Sequence, residues 1–278
     1  MLGFRWLRWP GRGGRFVRRI FSNHAGTRFY KLYIPSNYRG QSLPLVVMLH
    51  GCKQSADDFA AGTRMNELAE KRGFLVAYPA QAWRANVDRC WNWFRSQHQG
   101  RDAGEPALIA GITRQVIARY KVDPRRVYIA GLSAGGSMAA VMAATYPELF
   151  AGVGIHSGLP YASARGAASA LAAMRYKRLG AAPAAPTVPT IVFHGDADTV
   201  VHPSNGEYAV GNDAVREDGE AGGRAYTRTR ISGNRAAFEH WLVHGAGHAW
   251  SGGDAAAPYA DAKGPDASRE MLRFFRVR

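Results

Sequence analysis

Short apolar runs rich in β-branched residues alternate along the chain with segments of helical periodicity. Leu45–Leu49 is apolar at every position, which indicates a fully buried strand, whereas Tyr30–Ile34 alternates like a half-buried one. Further strands are predicted at Phe74–Tyr78, Val127–Ala130, Val153–His156, Thr190–His194 and Glu239–Val243. Helices are predicted at residues 63–72, Pro106–Tyr120, Ala134–Thr145 and Ala267–Phe275.

The repeated strand–helix order predicts an α/β protein with a mostly parallel central sheet and helices on both faces. Two stretches do not fit regular structure. Residues 80–105 form a long loop that carries three tryptophans, and residues 202–236, rich in glycine and charge, read as an excursion over one end of the sheet. Long loops in compact domains are often functional.

Composition narrows the class of protein. The 278 residues are 46% hydrophobic and 21% charged, as in folded domains, and the longest clean apolar run, Met138–Ala144, is too short to span a bilayer. The net charge of +15 is unusual, and such an excess can indicate nucleic acid or an anionic surface. Seven arginines and no acid lie within residues 1–28, so the remaining chain carries only +8.

We therefore divide the chain into a flexible basic segment, 1–28, and one folded domain, 29–278. No secretory signal is readable, because arginines interrupt the first apolar residues. Residues 1–19 can instead make a weak contact with a membrane or another anionic surface. No nucleic-acid partner is expected, and the sequence leaves the compartment and the oligomeric state open.

The only cysteines are Cys52 and Cys90. Two free thiols are the usual state in a cytosolic enzyme. A disulfide between them would close a loop of about 38 residues and stabilise the fold by about 4 kcal/mol on the chain-entropy model. The residues alone leave both states open.

Gly131-Leu132-Ser133-Ala134-Gly135 is a G-x-S-x-G motif placed between a predicted strand and a predicted helix. That placement is the one a nucleophile elbow requires, and it makes Ser133 the candidate nucleophile. The alternative is a small-residue turn before a tightly packed helix.

A serine nucleophile needs a base and an acid that orients the base. In chain order, His194-Gly195-Asp196-Ala197-Asp198 follows one strand and His244-Gly245-Ala246-Gly247-His248 follows the next. His248 is favoured as the base because it lies in a glycine-rich turn past the strand end, and Asp198 as the acid because it lies deeper in its loop than Asp196. Asp196 and His244 are the structural alternatives.

Two backbone N–H groups are predicted to bind the oxyanion, those of Ala134 and Cys52. Trp91, Trp93 and Trp250 lie in loops that converge on the same sheet edge, and we expect them to line an apolar cleft. Packing of these rings into the domain is the alternative.

Five motifs in order resemble the polyhydroxybutyrate (PHB) depolymerase family of esterases. They are Leu49-His50-Gly51-Cys52, Cys90-Trp91-Asn92-Trp93-Phe94, the Ser133 elbow, HGDADTVV at 194–201 and GAGHAWSGG at 245–253. The resemblance covers roughly residues 29–278. It implies an α/β-hydrolase domain in which Ser133, Asp198 and His248 form the catalytic triad and Cys52 is bonded to Cys90. It also implies export, with cytoplasmic location as the alternative.

The resemblance implies a serine esterase that needs no metal or cofactor. Members that attack solid polymer carry a linker and a polymer-binding domain, and neither is readable here. We therefore expect hydroxyalkanoate oligomers or short acyl esters as substrates. The alternatives are a feruloyl or acetyl polysaccharide esterase, a serine peptidase, and a binding protein with a basic surface on a hydrolase scaffold.

Overall fold

A computed structural model describes residues 13–177, 183, 187–208, 214–231 and 236–277. Twelve strands and six α-helices lie in these ranges. The strands are β1 (Arg15–Asn23), β2 (Gly26–Ile34), β3 (Leu43–Leu49), β4 (Leu75–Pro79), β5 (Val122–Leu132), β6 (Gly152–His156), β7 (Thr190–Gly195), β8 (Val215–Ala221), β9 (Arg224–Ile231), β10 (Phe238–Val243), β11 (Trp250–Ser251) and β12 (Ala260–Asp261). The helices are α1 (Ala56–Thr63), α2 (Met65–Arg72), α3 (Gly104–Arg119), α4 (Ala134–Thr145), α5 (Ala167–Arg175) and α6 (Ala267–Phe274).

Ten of the strands form one sheet in the order β1-β2-β4-β3-β5-β6-β7-β10-β9-β8. The six central strands, from β4 to β10 in that order, run parallel, and the two outer strands at each end are antiparallel. The carboxyl ends of the parallel strands therefore share one edge, where open α/β sheets place their ligand sites.

The helices cover both faces because buried strands present apolar residues to each side. Leu45 and Val47 of β3 pack in the same core as α3 and α4, whereas Val46 and Met48 pack in the core that holds α1, α2 and α6. This confirms the predicted class, an α/β-hydrolase fold with a mostly parallel sheet between two helical layers.

Residues 13–28 belong to the segment that was predicted to be flexible, but they contain strand β1 and the start of β2. β1 pairs with β2 over nine residues, and Val17 is buried beneath the strand pair. Phe21 packs on the bare Cα of Gly111 in α3, where an added Cβ would lie 2.2 Å from the ring. The boundary drawn at residues 28 and 29 thus falls inside β2, and residues 1–12 lie outside the described residues.

The excursion predicted at 202–236 is in large part a strand pair. β9 pairs antiparallel with β10, and β8 pairs antiparallel with β9, so both strands extend the sheet. Both strands carry many charged and polar residues, such as Glu217 paired with Arg228. Their sequences therefore lack the apolar pattern from which the other strands were predicted. Within the described residues, no helix is both long and apolar enough to cross a membrane.

Candidate active site

Ser133 lies on a sharp turn between β5 and α4 with φ 57° and ψ −121°, a backbone conformation that L-residues rarely adopt. The turn has no room for side chains at its flanks. A Cβ on Gly135 would lie 2.1 Å from the carbonyl oxygen of Leu49, and one on Gly131 would lie 2.4 Å from the backbone of Gly135. The glycines of the G-x-S-x-G motif are thus explained by close backbone approach.

The Ser133 backbone is anchored while its side chain stays available. Its N–H donates to the carbonyl of His156 at 2.8 Å, which ties the turn to the adjacent strand β6. Within the described parts of the chain, the Ser133 hydroxyl makes no hydrogen bond to another residue, and Ser133 lines an apolar cavity.

The Asp198 carboxylate is held from several sides after β7. Its Oδ1 accepts the N–H groups of Val200 and Val201, each at 2.9 Å, and its Oδ2 accepts the Nδ1–H of His248 at 2.7 Å. Burial alone would raise the pKa of Asp198, but hydrogen bonds from His194 and His248 outweigh it and hold the pKa well below its ordinary value. The side chain therefore remains a carboxylate at neutral pH.

His248 follows β10 and meets Asp198 across 50 residues of sequence. Because Nδ1 donates to the carboxylate, Nε2 of the neutral imidazole carries the lone pair that a general base needs. The structure thus brings together the two residues that the sequence analysis chose as acid and base.

The alternative acid and base also form a pair, but on the surface. His244 Nδ1 lies 2.8 Å from Asp196 Oδ2, with the two side chains 39% and 37% exposed. Asp198 and His248, by contrast, are 0% and 10% exposed. The two pairs span the same two loops, so they form a natural comparison of a buried and an exposed Asp–His contact.

His156 connects the Ser133 turn with the Asp–His pair. Its carbonyl accepts from Ser133, and its buried imidazole interacts electrostatically with both Asp198 and His248. Burial, with a smaller contribution from the neighbouring histidines, lowers the pKa of His156 to about 3, so this side chain is neutral. Ser133, Asp198 and His248 follow the parallel strands β5, β7 and β10, whose carboxyl ends share one sheet edge.

Both predicted oxyanion donors lie beside Ser133. Cys52 and Ala134 line the same cavity, and a Cβ on Gly51 would lie 3.6 Å from the Cβ of Ser133. Ala134 is the first residue of α4, so its N–H has no partner within the helix and adds to the positive end of the helix dipole.

Cys52 and Cys90 form the disulfide that the resemblance implied. The bond joins the loop after β3 to the long loop after β4, and both sulfur-bearing residues line the cavity. Lys53 N–H also donates to the carbonyl of Asp88 at 2.6 Å across the same two loops. A covalent and a hydrogen-bonded link thus fix the Cys52 backbone.

The cavity next to Ser133 has a volume of about 210 Å³ and is lined mainly by apolar side chains. Its wall includes Trp93, Phe94, Leu159 and Val201, and it also includes four residues of α5. This volume is below the roughly 300–1,000 Å³ of pockets for drug-sized ligands, so the cavity fits a short apolar group.

Of the three tryptophans expected in the cleft, Trp93 alone lines this cavity. Trp250 is 1% exposed, stacks on His156 and donates its indole N–H to Ser268 at 3.1 Å. Trp91 is fully buried in the core beside His50. For Trp91 and Trp250, packing into the domain is the correct interpretation, because their rings fill space between the loops and the core.

Sequence reasoning missed the contribution of α5. Ala167, Ala170, Leu171 and Met174 recur at three- and four-residue spacing and face the cavity. That spacing is the signal that could have identified the helix as a wall of the site.

Two side-chain amides bind the backbone of α5 and of the residues just before it. Gln99 Nε2 donates to the carbonyls of Trp93 at 2.8 Å and Ala164 at 2.6 Å, and Asn205 Nδ2 donates to the carbonyl of Ala173 at 2.9 Å. The wall is therefore tied to both the tryptophan loop and the loop after Asp198. Among the described residues, no group of three or more His, Cys, Asp or Glu side chains is arranged to hold a metal ion.

Comparison with known proteins identifies relatives of this chain. The model of the family described as Esterase PHB depolymerase matches residues 28–230. Poly(3-hydroxyalkanoate) depolymerase C of Paucimonas lemoignei is 38% identical over 158 residues, 57% of this chain and 37% of that protein. Feruloyl esterase B of Neurospora crassa is 37% identical over 150 residues, 54% of this chain and 50% of that protein.

The chain spans half or less of the length of these curated relatives. Among solved structures, an acetyl xylan esterase from Aspergillus awamori superposes with a TM-score of 0.73 at 20% identity, covering 94% of this chain and 100% of that chain. This similarity establishes the fold.

Proposed function

The chain belongs to the Esterase PHB depolymerase family, and from that premise we propose that it is a serine esterase that hydrolyses carboxylic esters through an acyl-enzyme. The observation that carries the proposal is the 2.7 Å hydrogen bond between His248 and Asp198, at the sheet edge where Ser133 borders an apolar cavity. In this proposal Ser133 is the nucleophile, His248 the general base and Asp198 the orienting acid.

The reaction follows from these roles. Ser133 Oγ attacks the ester carbonyl carbon as His248 Nε2 takes the hydroxyl proton, and the N–H groups of Cys52 and Ala134 stabilise the oxyanion. The intermediate collapses, the C–O bond to the alcohol breaks, and His248 returns the proton to the leaving oxygen. Water, deprotonated by His248, then attacks the acyl-enzyme and releases the acid and Ser133.

The cavity supports a substrate with a short aliphatic acyl group. Its lining is almost entirely hydrocarbon and sulfur, and its volume of about 210 Å³ suits a few carbon atoms beyond the carbonyl. Esters of short hydroxyalkanoates and simple short-chain acids meet this requirement. A feruloyl ester is the second candidate, because a feruloyl esterase is among the similar proteins.

The disulfide between Cys52 and Cys90 supports an oxidising compartment, because such bonds persist outside the cytosol. We therefore propose that the protein acts after export. A contact of residues 1–19 with an anionic surface stays a prediction; Arg18 and Arg19 lie on the edge strand β1, and residues 1–12 are outside the described residues.

The test compares Ser133→Ala, Asp198→Asn and the matched surface variant Asp196→Asn in hydrolysis of p-nitrophenyl butyrate. Ser133→Ala is expected to lower kcat by about 10⁶-fold and Asp198→Asn by about 10⁴-fold, because nucleophile and base orientation are lost. Asp196→Asn should retain wild-type turnover, since its partner His244 is exposed. Circular dichroism verifies that each variant folds.

A fluorophosphonate probe provides the second measurement. Peptide mass mapping should find the label on Ser133 in the wild type. A wild-type protein that neither turns over the ester nor takes the label would support the binding-protein alternative. Turnover of the matching anilide at a rate comparable to that of the ester would support the peptidase alternative.

A further inference from the structure

A second histidine lies next to the aspartate of the Asp–His pair. His194 is the penultimate residue of β7 and is 0% exposed. Its Nε2 lies 2.9 Å from the carbonyl oxygen of Val201 and 3.4 Å from Asp198 Oδ2, the same oxygen that accepts from His248. His194 and the proposed general base thus lie against the same carboxylate oxygen.

The contact with Val201 determines the tautomer of His194. A carbonyl oxygen only accepts, so Nε2 carries the hydrogen and the neutral ring keeps a lone pair on Nδ1. That Nδ1 is buried and has no hydrogen-bond partner among the described residues. A buried polar atom without a partner is unusual and calls for a functional or structural explanation.

His240 of β10 carries the ring nitrogen that can donate a hydrogen bond to His194 Nδ1. Its Nε2 is also buried without a partner in the described chain. A Cβ on Gly206 would lie 3.0 Å from His194 Nδ1 and 3.0 Å from His240 Nε2, so the two nitrogens flank the same bare Cα. Burial and the neighbouring His194 lower the pKa of His240 to about 3, which leaves this ring neutral and able to carry its hydrogen on Nε2.

We propose that His194 is a positioning residue that holds the Asp198 carboxylate in line with His248, and that His240 fixes the tautomer of His194 across Gly206. His240 Nε2–H reaches His194 Nδ1 through one water molecule, and His194 Nε2–H donates to the carbonyl of Val201 while Nε2 stays 3.4 Å from Asp198 Oδ2. The groups that face His194 are Asp198, His240 and His156. The inference rests on the proposed esterase function, since it assigns a role at the same site.

The test is the pair His194→Phe and His194→Gln, assayed with p-nitrophenyl butyrate. Phe fills the site without a donor, whereas Gln restores an N–H donor near the position of Nε2. We expect His194→Phe to lower kcat about tenfold with KM within about twofold, as for loss of one hydrogen bond that aligns the base, and His194→Gln to recover most of kcat.

A spectroscopic readout separates positioning from a general loss of structure. The Nδ1–H of His248 should give a downfield proton resonance in wild type and in His194→Gln, and this resonance should be broadened or lost in His194→Phe. His244→Gln is the matched control, because His244 makes an exposed contact of similar length to Asp196. It should change neither kcat nor the resonance.

If His194→Phe does not fold, His240→Phe gives the second test, because it leaves His194 and Asp198 in place; we expect a fall in kcat of about threefold. A kcat of His194→Phe within twofold of wild type, a loss that His194→Gln does not restore, or an unchanged resonance would overturn the positioning role. Absence of esterase turnover in wild type would instead overturn the proposed function.

Discussion

At the scale of single residues, the most unusual position is Ser133, whose φ of 57° is far better suited to glycine. Such backbone strain costs on the order of 1–3 kcal/mol and persists only where the surroundings impose it. Here the hydrogen bond from Ser133 N–H to His156 and the close approach of Gly135 to the Leu49 backbone hold the turn. The position of Ser133 at the cavity is therefore obtained at the expense of folding stability.

This strain predicts a difference in stability between two variants that we expect to be inactive. Ser133→Gly relieves the backbone, whereas Ser133→Ala keeps it strained, so we expect the glycine variant to be about 1 kcal/mol more stable in urea unfolding. Both should lack esterase activity. Equal or lower stability of Ser133→Gly would show that the turn is not strained.

The residue scale also shows where sequence reasoning reached its limit. Ser133, Asp198 and His248 could be chosen because glycine-rich turns after strands carry them. Trp91 and Trp250 could not be separated from Trp93, because all three stand in loops of similar composition. Only tertiary packing decides which indole fills the core and which borders the cavity.

At the scale of elements, buried strands and long helices were predictable and the sheet edges were not. The fully apolar β3 and the helix α4 appear where their patterns indicate. α1 was missed because Ala56–Thr63 has small residues in place of a strong apolar stripe. β1 and β8 were missed because edge strands bury little of their surface and tolerate arginine and glutamate.

The helix α5 gives a prediction about specificity. Ala170 is buried on the face of α5 that lines the cavity, whereas Ala172 is exposed on the other side. Ala170→Phe should fill the cavity and lower the hexanoate-to-acetate ratio of kcat/KM by about tenfold or more, since one methylene in an apolar pocket is worth that much.

The matched control for this prediction is Ala172→Phe, which adds the same ring outside the cavity. Its ratio of kcat/KM values for p-nitrophenyl hexanoate and acetate should equal that of wild type. If both variants changed the ratio equally, a general disturbance of α5 would explain the effect and the cavity would not select chain length.

At the scale of the whole molecule, several buried histidines couple folding to pH. Burial lowers the pKa of His50 to about 4 and is the main reason that His156 and His240 have a pKa of about 3. Each side chain is neutral in the folded protein at a pH where it is protonated in the unfolded chain. These three positions therefore disfavour folding in mild acid.

The sign of the effect follows from proton uptake. Below about pH 6.5 the unfolded chain binds protons that the folded protein excludes, so the free energy of unfolding falls by up to about 1.4 kcal/mol per pH unit for each histidine until the folded pKa is reached. Asp198, whose pKa is lowered, adds a stabilising contribution that is present above about pH 3.9 and lost below it.

Urea unfolding at about pH 7.5, 6.5 and 5.5 checks this prediction. We expect little change between the first two values and a marked loss of stability at the third, with an unchanged dependence on urea concentration. A free energy of unfolding that stays constant down to about pH 5 would contradict the burial of three neutral histidines.

The way the site is distributed along the chain also bears on how the protein is made. The proposed reaction needs Cys52, Ser133, Asp198 and His248, which follow four different strands, and Asp198 meets His248 across 50 residues. A nascent chain that ends before His248 lacks the proposed general base, so we expect no ester turnover from it. The onset of ester turnover therefore reports the last stage of folding. During refolding, the recovery of activity should lag behind the recovery of tryptophan fluorescence.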